Sequence, residues 1–186
     1  GVRYRSYRGE VGRTAHNILN REFEAIGPNQ KWATDVTEFK VADRKAYLSP
    51  ILDMFNGEII SYTISDRPDL KMVIDMMHSA KRKVRNTEGI ILHSDQGWHY
   101  QHKLYQQTLK DYGITQSMSR KGNCLDNAVM ENFFGIMKSE LLYLQKFSDM
   151  DDFKKQLKKY IHYYNNERIK LKLNGKSPVQ YRTLCM

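Results

Sequence analysis

Two aspartates and a glutamate occupy positions from which they could hold a divalent cation. Asp35 lies inside the β-branched and aromatic run "KWATDVTEFKV", between Thr34 and Val36, although Asp is disfavoured in strands. Alternation places Ala33, Asp35, Thr37 and Phe39 on one largely apolar face, where an unpaired carboxylate is costly and needs a partner or a task. Asp95 closes the short apolar run "GIILHSD", and Glu131 opens a later helical segment, with 35 residues between the two. Carboxylate oxygens are hard ligands, so a set of Asp, Asp and Glu suits Mg²⁺ or Mn²⁺. Each residue alone also has a plain explanation. A buried hydrogen bond or an arginine can satisfy Asp35, and Ser-Asp-Gln-Gly around Asp95 is ordinary turn chemistry. The spacing carries no chemistry by itself, because only the fold decides which carboxylates meet.

The elements that must position these residues follow from periodicity. The runs "KWATDVTEFKV", "AYLSPILDMF" and "EIISYTIS" are separated by "ADRK" and by Asn56-Gly57, the favoured two-residue hairpin turn, and predict an antiparallel meander. Apolar residues at Leu70, Val73, Ile74, Met77 and Ala80 predict an amphipathic helix over 69–85. "GIILHSD" reads as a strand buried on both faces, followed by a helix over 101–111 that stops near Gly113, and "ITQSMS" as a fifth strand. A helix over 128–144 should bury Met130, Phe133, Phe134, Met137, Leu141 and Leu144. A last helix should start at Ser148, where Ser-Asp-Met-Asp matches a cap, and bury Phe153, Leu157, Tyr160, Ile161 and Tyr164. The fold class is therefore α/β: a mixed five-stranded sheet, three antiparallel strands then parallel ones, with helices on both faces.

With 186 residues and 40% hydrophobic content, the chain suits one domain with a substantial core. Residues 1–28, carrying Arg3, Arg5, Arg8 and Arg13 and ending at "GPNQ", read as a basic lead-in; 29–186 read as the core with its C-terminal helix and tail. The net charge of +9 favours a polyanionic partner such as nucleic acid, although many merely soluble proteins share such a surplus. The lone, distant Cys124 and Cys185 and the absence of a long apolar stretch point to a reducing, cytoplasmic setting. A first residue of Gly rather than Met reads as a fragment.

"DVTEF", "LHSDQGWHY", "SRKGNCLDNAVMENFFGIMKSEL" and "KSPVQYR" together resemble the catalytic core of bacterial insertion-sequence transposases of the integrase type, the group made from two reading frames and related to retroviral integrases. The resemblance runs from about Thr14 to Leu184. It implies a ribonuclease H-like fold with Asp35, Asp95 and Glu131 as the acidic trio around two Mg²⁺ or Mn²⁺ ions, Asp35 bridging both. It also implies cleavage and 3′-hydroxyl strand transfer on double-stranded DNA, both element ends and target, by a dimer or larger assembly. Lys138 shares a helix face with Glu131 and Gly135 and would reach a DNA phosphate; as an ordinary residue it would be an exposed lysine. Arg120, Lys121 and Asn127, in the loop before the helix, are further DNA-contact candidates. "GWHY" departs from related sequences, which more often carry a small residue and Gln before the Tyr. Two other functions stay open: a nuclease acting by hydrolysis alone, and a non-catalytic DNA-binding relic. Because no helix-turn-helix or zinc module is evident, an end-recognition domain is expected upstream of Gly1.

Other residues take plainer roles. His93, His99 and His102 cluster near Asp95 but lack cysteine companions for zinc, and His93 is a candidate to orient the site. Asp126 reads as an N-cap, and the resemblance gives Asp53 no catalytic role. The basic stretch "KKQLKK" with Lys170, Lys172 and Lys176 suits either a solvated face or DNA, and Tyr160, Tyr163 and Tyr164 read as packing groups. Arg82, Lys83 and Arg85 suit a helix C-terminus.

Overall fold

The first strand is interrupted where Asp35 stands, and the cause lies on the strand beside it. In a computed structural model describing residues 12–143 and 146–185, β1 (Lys31–Thr34) and β2 (Thr37–Val41) both pair antiparallel with β3 (Arg44–Asp53). Thr34 lies opposite Ile51 and Thr37 opposite Leu48, so one register spans the gap and sets Asp35 across from Pro50. Pro50 has no N–H to donate, and its carbonyl accepts from the Thr34 hydroxyl at 2.8 Å. The run expected as one strand with Asp35 inside its ladder is therefore two, and Asp35 falls in the break.

β3 pairs on its other side with β4 (Ile59–Ser65), antiparallel, while β5 (Ile91–Ser94) runs parallel to β1 and β6 (Thr115–Met118) parallel to β5. This is the expected meander followed by parallel strands. Helices cover both faces, as neighbouring residues show by pointing opposite ways. Trp32, Ile51 and Ile60 pack with Met76 and Met77 of α1 (Leu70–Lys83) and Leu109 of α3 (Lys103–Asp111). Ala33, Leu52 and Ile59 pack with Phe133 of α4 (Ala128–Tyr143) and Phe153 of α5 (Met150–Asn166). Phe153 is fully buried between Phe39 and Phe147, ring centroids 4.9 and 5.0 Å away; burying such a side chain contributes about 1.5–3 kcal/mol.

Several local expectations shift. Asn56-Gly57 is not a two-residue turn: the β3–β4 connection spans 54–58, with Gly57 at φ +78°. The buried Asp53 carboxylate organises it by accepting from the N–H groups of Asn29 and Phe55, and Asn56 is diverted to the Pro178 carbonyl. The tight turn is instead Ala42-Asp43, since Val41 pairs with Arg44. On α1, Met72 and Met76 take the centre of the buried face, and Leu70 and Ile74 pack half-buried at its edge. The helix expected over 101–111 is two, α2 (Trp98–Gln101) and α3, parted at His102, whose ring accepts from Leu104 N–H. The α5 cap is Asp149, not Ser148, because its carboxylate accepts from Asp152 N–H at 2.7 Å.

"KSPVQYR" forms an unforeseen helix, α6 (Pro178–Leu184), although its capping box, Ser177 with Gln180, and its initial proline were visible signals. Arg182 anchors it to the buried Glu58, 3.1 Å away, where Lys83 also approaches to 3.6 Å. Among the described residues no helix is long and apolar enough to cross a membrane. Arg3, Arg5, Arg8 and Leu144 lie outside the described residues.

Pro50→Ala should restore a donor opposite Asp35 and let the ladder close. The new amide at position 50, donating to the Asp35 carbonyl, is then expected to exchange roughly 2–10-fold more slowly than an unbonded amide, the equivalent of one net hydrogen bond of about 0.5–1.5 kcal/mol; unprotected exchange there would clear Pro50 of causing the break.

Candidate active site

β1 and β5 are parallel neighbours in which Lys31 pairs with Ile91, Trp32 with Leu92 and Ala33 with His93. Carried forward, this register sets Asp35 beside Asp95, each one residue past the end of its strand. Adjacent strands lie about 4.8 Å apart, so the two carboxyl groups are forced into company at the C-terminal edge of the parallel pair, where α/β sheets bind ligands.

Backbone groups orient both. Val36 N–H donates to Asp35 Oδ1 at 2.8 Å, and Gly97 N–H to Asp95 Oδ1 at 2.7 Å. Burial, and next the adjacent Asp95 charge, push Asp35 from the ordinary carboxylate range up to about 7. The closeness of the Asp95 carboxyl raises it further, and the Glu131 charge adds a weaker push. Two acids in a poorly hydrated place keep a proton when nothing else neutralises them. A divalent cation would do so with the ligand type it prefers, so the residues fit Mg²⁺ or Mn²⁺.

Glu131 stands exposed in the first turn of α4. Among the described residues no three His, Cys, Asp or Glu side chains are gathered tightly enough to hold one ion. The carboxylates thus form a close pair with the glutamate standing off it. Asn127, four residues earlier, is 6% exposed and points its amide at the Thr34 carbonyl, 3.5 Å away, which leaves little of it to meet DNA. Lys138 lies along β2, donating to the Glu38 carbonyl at 3.2 Å, with Nζ 5.2 Å from the Phe39 ring centre. Lys121 is exposed, whereas the Arg120 guanidinium is bound to Asp126.

Asp126 is not the expected N-cap. Its side chain is fully buried and paired with Arg21 and Arg120, both at 2.8 Å, and these guanidinium groups hold it well below the usual carboxylate range. The three histidines go to separate tasks: His93 is buried between β6 and Asp126, His99 bonds the Pro68 carbonyl at 2.6 Å, and His102 caps α3.

Sequence reasoning passed over Gly97. A Cβ there would lie 2.9 Å from Asp95 Oδ1 and 3.4 Å from the Tyr100 ring, and the only signal was a glycine two residues after the aspartate. It also missed a groove of about 480 Å³ beside α2 and α3, lined by Arg13, Lys103, Lys110 and glutamines such as Gln106, with no carboxylate among its walls. Lys103, Gln106, Gln107 and Lys110 fall on one face of α3 by helical spacing.

The integrase core domain family matches residues 26–124, and a second integrase core domain pattern matches residues 131–185. The putative transposase InsK for insertion sequence element IS150 of Escherichia coli is 58% identical over 180 residues, which span 97% of this chain and 64% of that protein. An uncharacterized transposase-like protein of Haemophilus influenzae is 53% identical over 181 residues, 97% of this chain and 83% of its own length. Among solved structures, the HTLV-2 integrase catalytic core domain in complex with magnesium superposes with a TM-score of 0.66 at 20% identity, over 84% of this chain and 98% of that one. At that identity the likeness establishes the ribonuclease H-like fold.

Two outcomes follow from the geometry. A folded-state pKa above the unfolded value means that stability is lost as pH rises, here between about 4 and 7. Asp35→Asn, neutral throughout, should therefore match the parent near pH 4 and exceed it above pH 7 by on the order of 4 kcal/mol in metal-free denaturant melts. A constant difference across that range would remove the like-charge strain. Gly97→Ala should leave the melt within about 1 kcal/mol yet turn Asp95 away from its partner, read as weaker Mn²⁺ binding in calorimetry; unaltered binding would show that the turn tolerates a methyl group.

Proposed function

Because the chain belongs to the integrase core domain family, as one of its insertion-sequence transposases, we propose that it cuts and joins DNA strands at a centre built from Asp35, Asp95 and Glu131. The observation that carries this reading is the carboxyl pair set side by side by the β1–β5 register. A bound divalent cation supplies Lewis-acid stabilisation of phosphate charge and lowers the pKa of the attacking water or hydroxyl. Asp35, Asp95 and Glu131 would hold the cations, two in our reading, with Asp35 as the ligand they would share. The chain's own part is orientation: Val36 and Gly97 hold one oxygen of each aspartate, leaving the others for the cations.

We assign Lys138, two helical turns beyond Glu131, to hold a DNA phosphate near the reacting one. Arg120 and Lys121 belong to the rim of the same approach, with Asn127 supporting it from inside. The Arg13, Lys103 and Lys110 groove suits a duplex backbone, whose binding rests on cationic neutralisation of phosphates. Water as nucleophile yields a nick and a DNA 3′-hydroxyl yields a joined strand; in each case one P–O bond forms as another breaks, the nucleophile's proton passes to solvent and the leaving oxygen takes one up from solvent. Joining two element ends to a target requires a dimer or larger. End recognition falls to a module upstream of the core, in a protein that works in the cytoplasm on the bacterial nucleoid.

A labelled element-end duplex, target DNA and Mg²⁺ test this directly: joined product is expected as well as nicks, and nicks alone would favour a hydrolytic nuclease. Asp35→Asn, Asp95→Asn and Glu131→Gln should each lower both products by roughly 10³-fold or more, several kcal/mol of barrier. Since Asp35 keeps its proton up to about pH 7, cation binding must displace it. Apparent Mg²⁺ affinity should fall roughly tenfold per pH unit below 7, with proton release on binding; pH-independent affinity would place the cation elsewhere.

A further inference from the structure

We infer that Asp126 is a positioning residue for Glu131: a buried anionic hub that ties the turn preceding the glutamate's helix to the N-terminal segment and to the strand ends bearing both aspartates. The inference rests on the reading of Glu131 as the third acid of the centre.

Asp126 sits in the 3₁₀ turn Cys124–Asn127, which runs directly into α4, five residues before Glu131. Its side chain has no exposure, yet it is surrounded by donors. Oδ2 accepts from Arg120 N–H at 2.8 Å, Arg120 Nε at 2.9 Å and Asn17 Nδ2 at 3.3 Å. Oδ1 accepts from Arg120 Nη2 and Arg21 Nε, both at 2.8 Å. With each oxygen committed, Asp126 has nothing left to offer a cation, so it is not a fourth ligand. Removing it would leave two partly exposed guanidinium groups and the Arg120 N–H without the acceptor they share, and the turn without its tie to the N-terminal segment.

Its backbone extends the tie. The Asp126 carbonyl is 2.7 Å from His93 Nε2, and a carbonyl only accepts, so Nε2 carries the proton. His93 Nδ1 then accepts from the Ser117 hydroxyl at 2.8 Å, while the Ser117 oxygen accepts from Ile18 and Leu19 N–H at 3.0 and 3.1 Å. His93 lies two residues before Asp95 on β5, and the next residue of the turn, Asn127, faces the carbonyl of Thr34, the residue before Asp35. The lead-in around Asn17 to Arg21 is thereby stitched to β6, β5 and the root of α4. Among the described residues no hydrogen bond or ion pair holds the Glu131 side chain, so its reach toward the aspartates depends on where its helix begins.

The test compares Asp126→Asn, Glu131→Gln and the double variant with the parent, in the whole chain. Asp126→Asn should weaken Mn²⁺ binding by about tenfold, the scale of losing a group that orients a ligand. A residue acting only through Glu131 should not weaken binding further in the double variant than Glu131→Gln does alone. Strand-transfer kcat should drop with KM for DNA within about twofold, and in the metal-free protein amide exchange should quicken over 123–131 while α1 stays unchanged. Parental Mn²⁺ affinity in Asp126→Asn, or losses that multiply in the double variant, would overturn the proposal. If Glu131→Gln leaves Mn²⁺ affinity untouched, the acidic trio fails first and takes this role with it. Should Asp126→Asn not fold, Arg21→Gln leaves Arg120 in place and is read the same way: a severalfold loss of Mn²⁺ affinity supports the hub, and parental affinity sinks it.

Discussion

The constraint on which the rest depends is the parallel register of β1 with β5. It brings two acids, distant in the chain, to adjacent positions where each strand ends, and backbone hydrogen bonding makes that spacing a property of the sheet rather than of flexible side chains. A slip of one residue would turn every side chain on the moved strand to the opposite face. Trp32 would then leave the α1 side for the α4 side, and both cores would be spoiled. Burial on two faces thus locks the register that the candidate centre needs.

Like charges held together cost stability, and the protein carries that cost openly. Burial, and then the Asp95 charge, push Asp35 from the ordinary carboxylate range up to about 7. Local rules are broken around it in a consistent way: a proline sits in a strand paired on both sides, and a glycine stands where a methyl group would press on Asp95. Departures of this kind gather where function competes with regularity. The strain fits a centre whose folded state is completed by a cation.

The proposed third acid is supported in another way. Glu131 is carried by a helix whose inner face is anchored by Met130, Phe133 and Met137, while its root is fixed by polar contacts around Asp126. Apolar packing sets the helix against the sheet without direction along its axis; hydrogen bonds and ion pairs supply that direction. The two devices together fix where the helix carrying an exposed glutamate starts relative to the half-buried pair.

Periodicity determined much of this by itself. The meander, the buried strand at 91–94, the stripes on α4 and α5 and the α/β class all follow from where apolar residues recur, since burial is a local demand written into side-chain type. The three acids were also visible, Asp35 because it breaks strand preference and Glu131 because it opens an amphipathic helix. Turn chemistry was visible but misread: Asn56-Gly57 yielded to the pull of Asp53 and Pro178, and Pro50 signalled the break opposite Asp35 without being used. Only the tertiary structure decided that Asp35 and Asp95 are neighbours, that Asp126 is a hub rather than a cap, and that Arg13 shares a groove with α3. Those facts depend on which strands pair and in what register, a choice made by the summed burial of two cores and by backbone hydrogen bonds between distant segments, which no local pattern records.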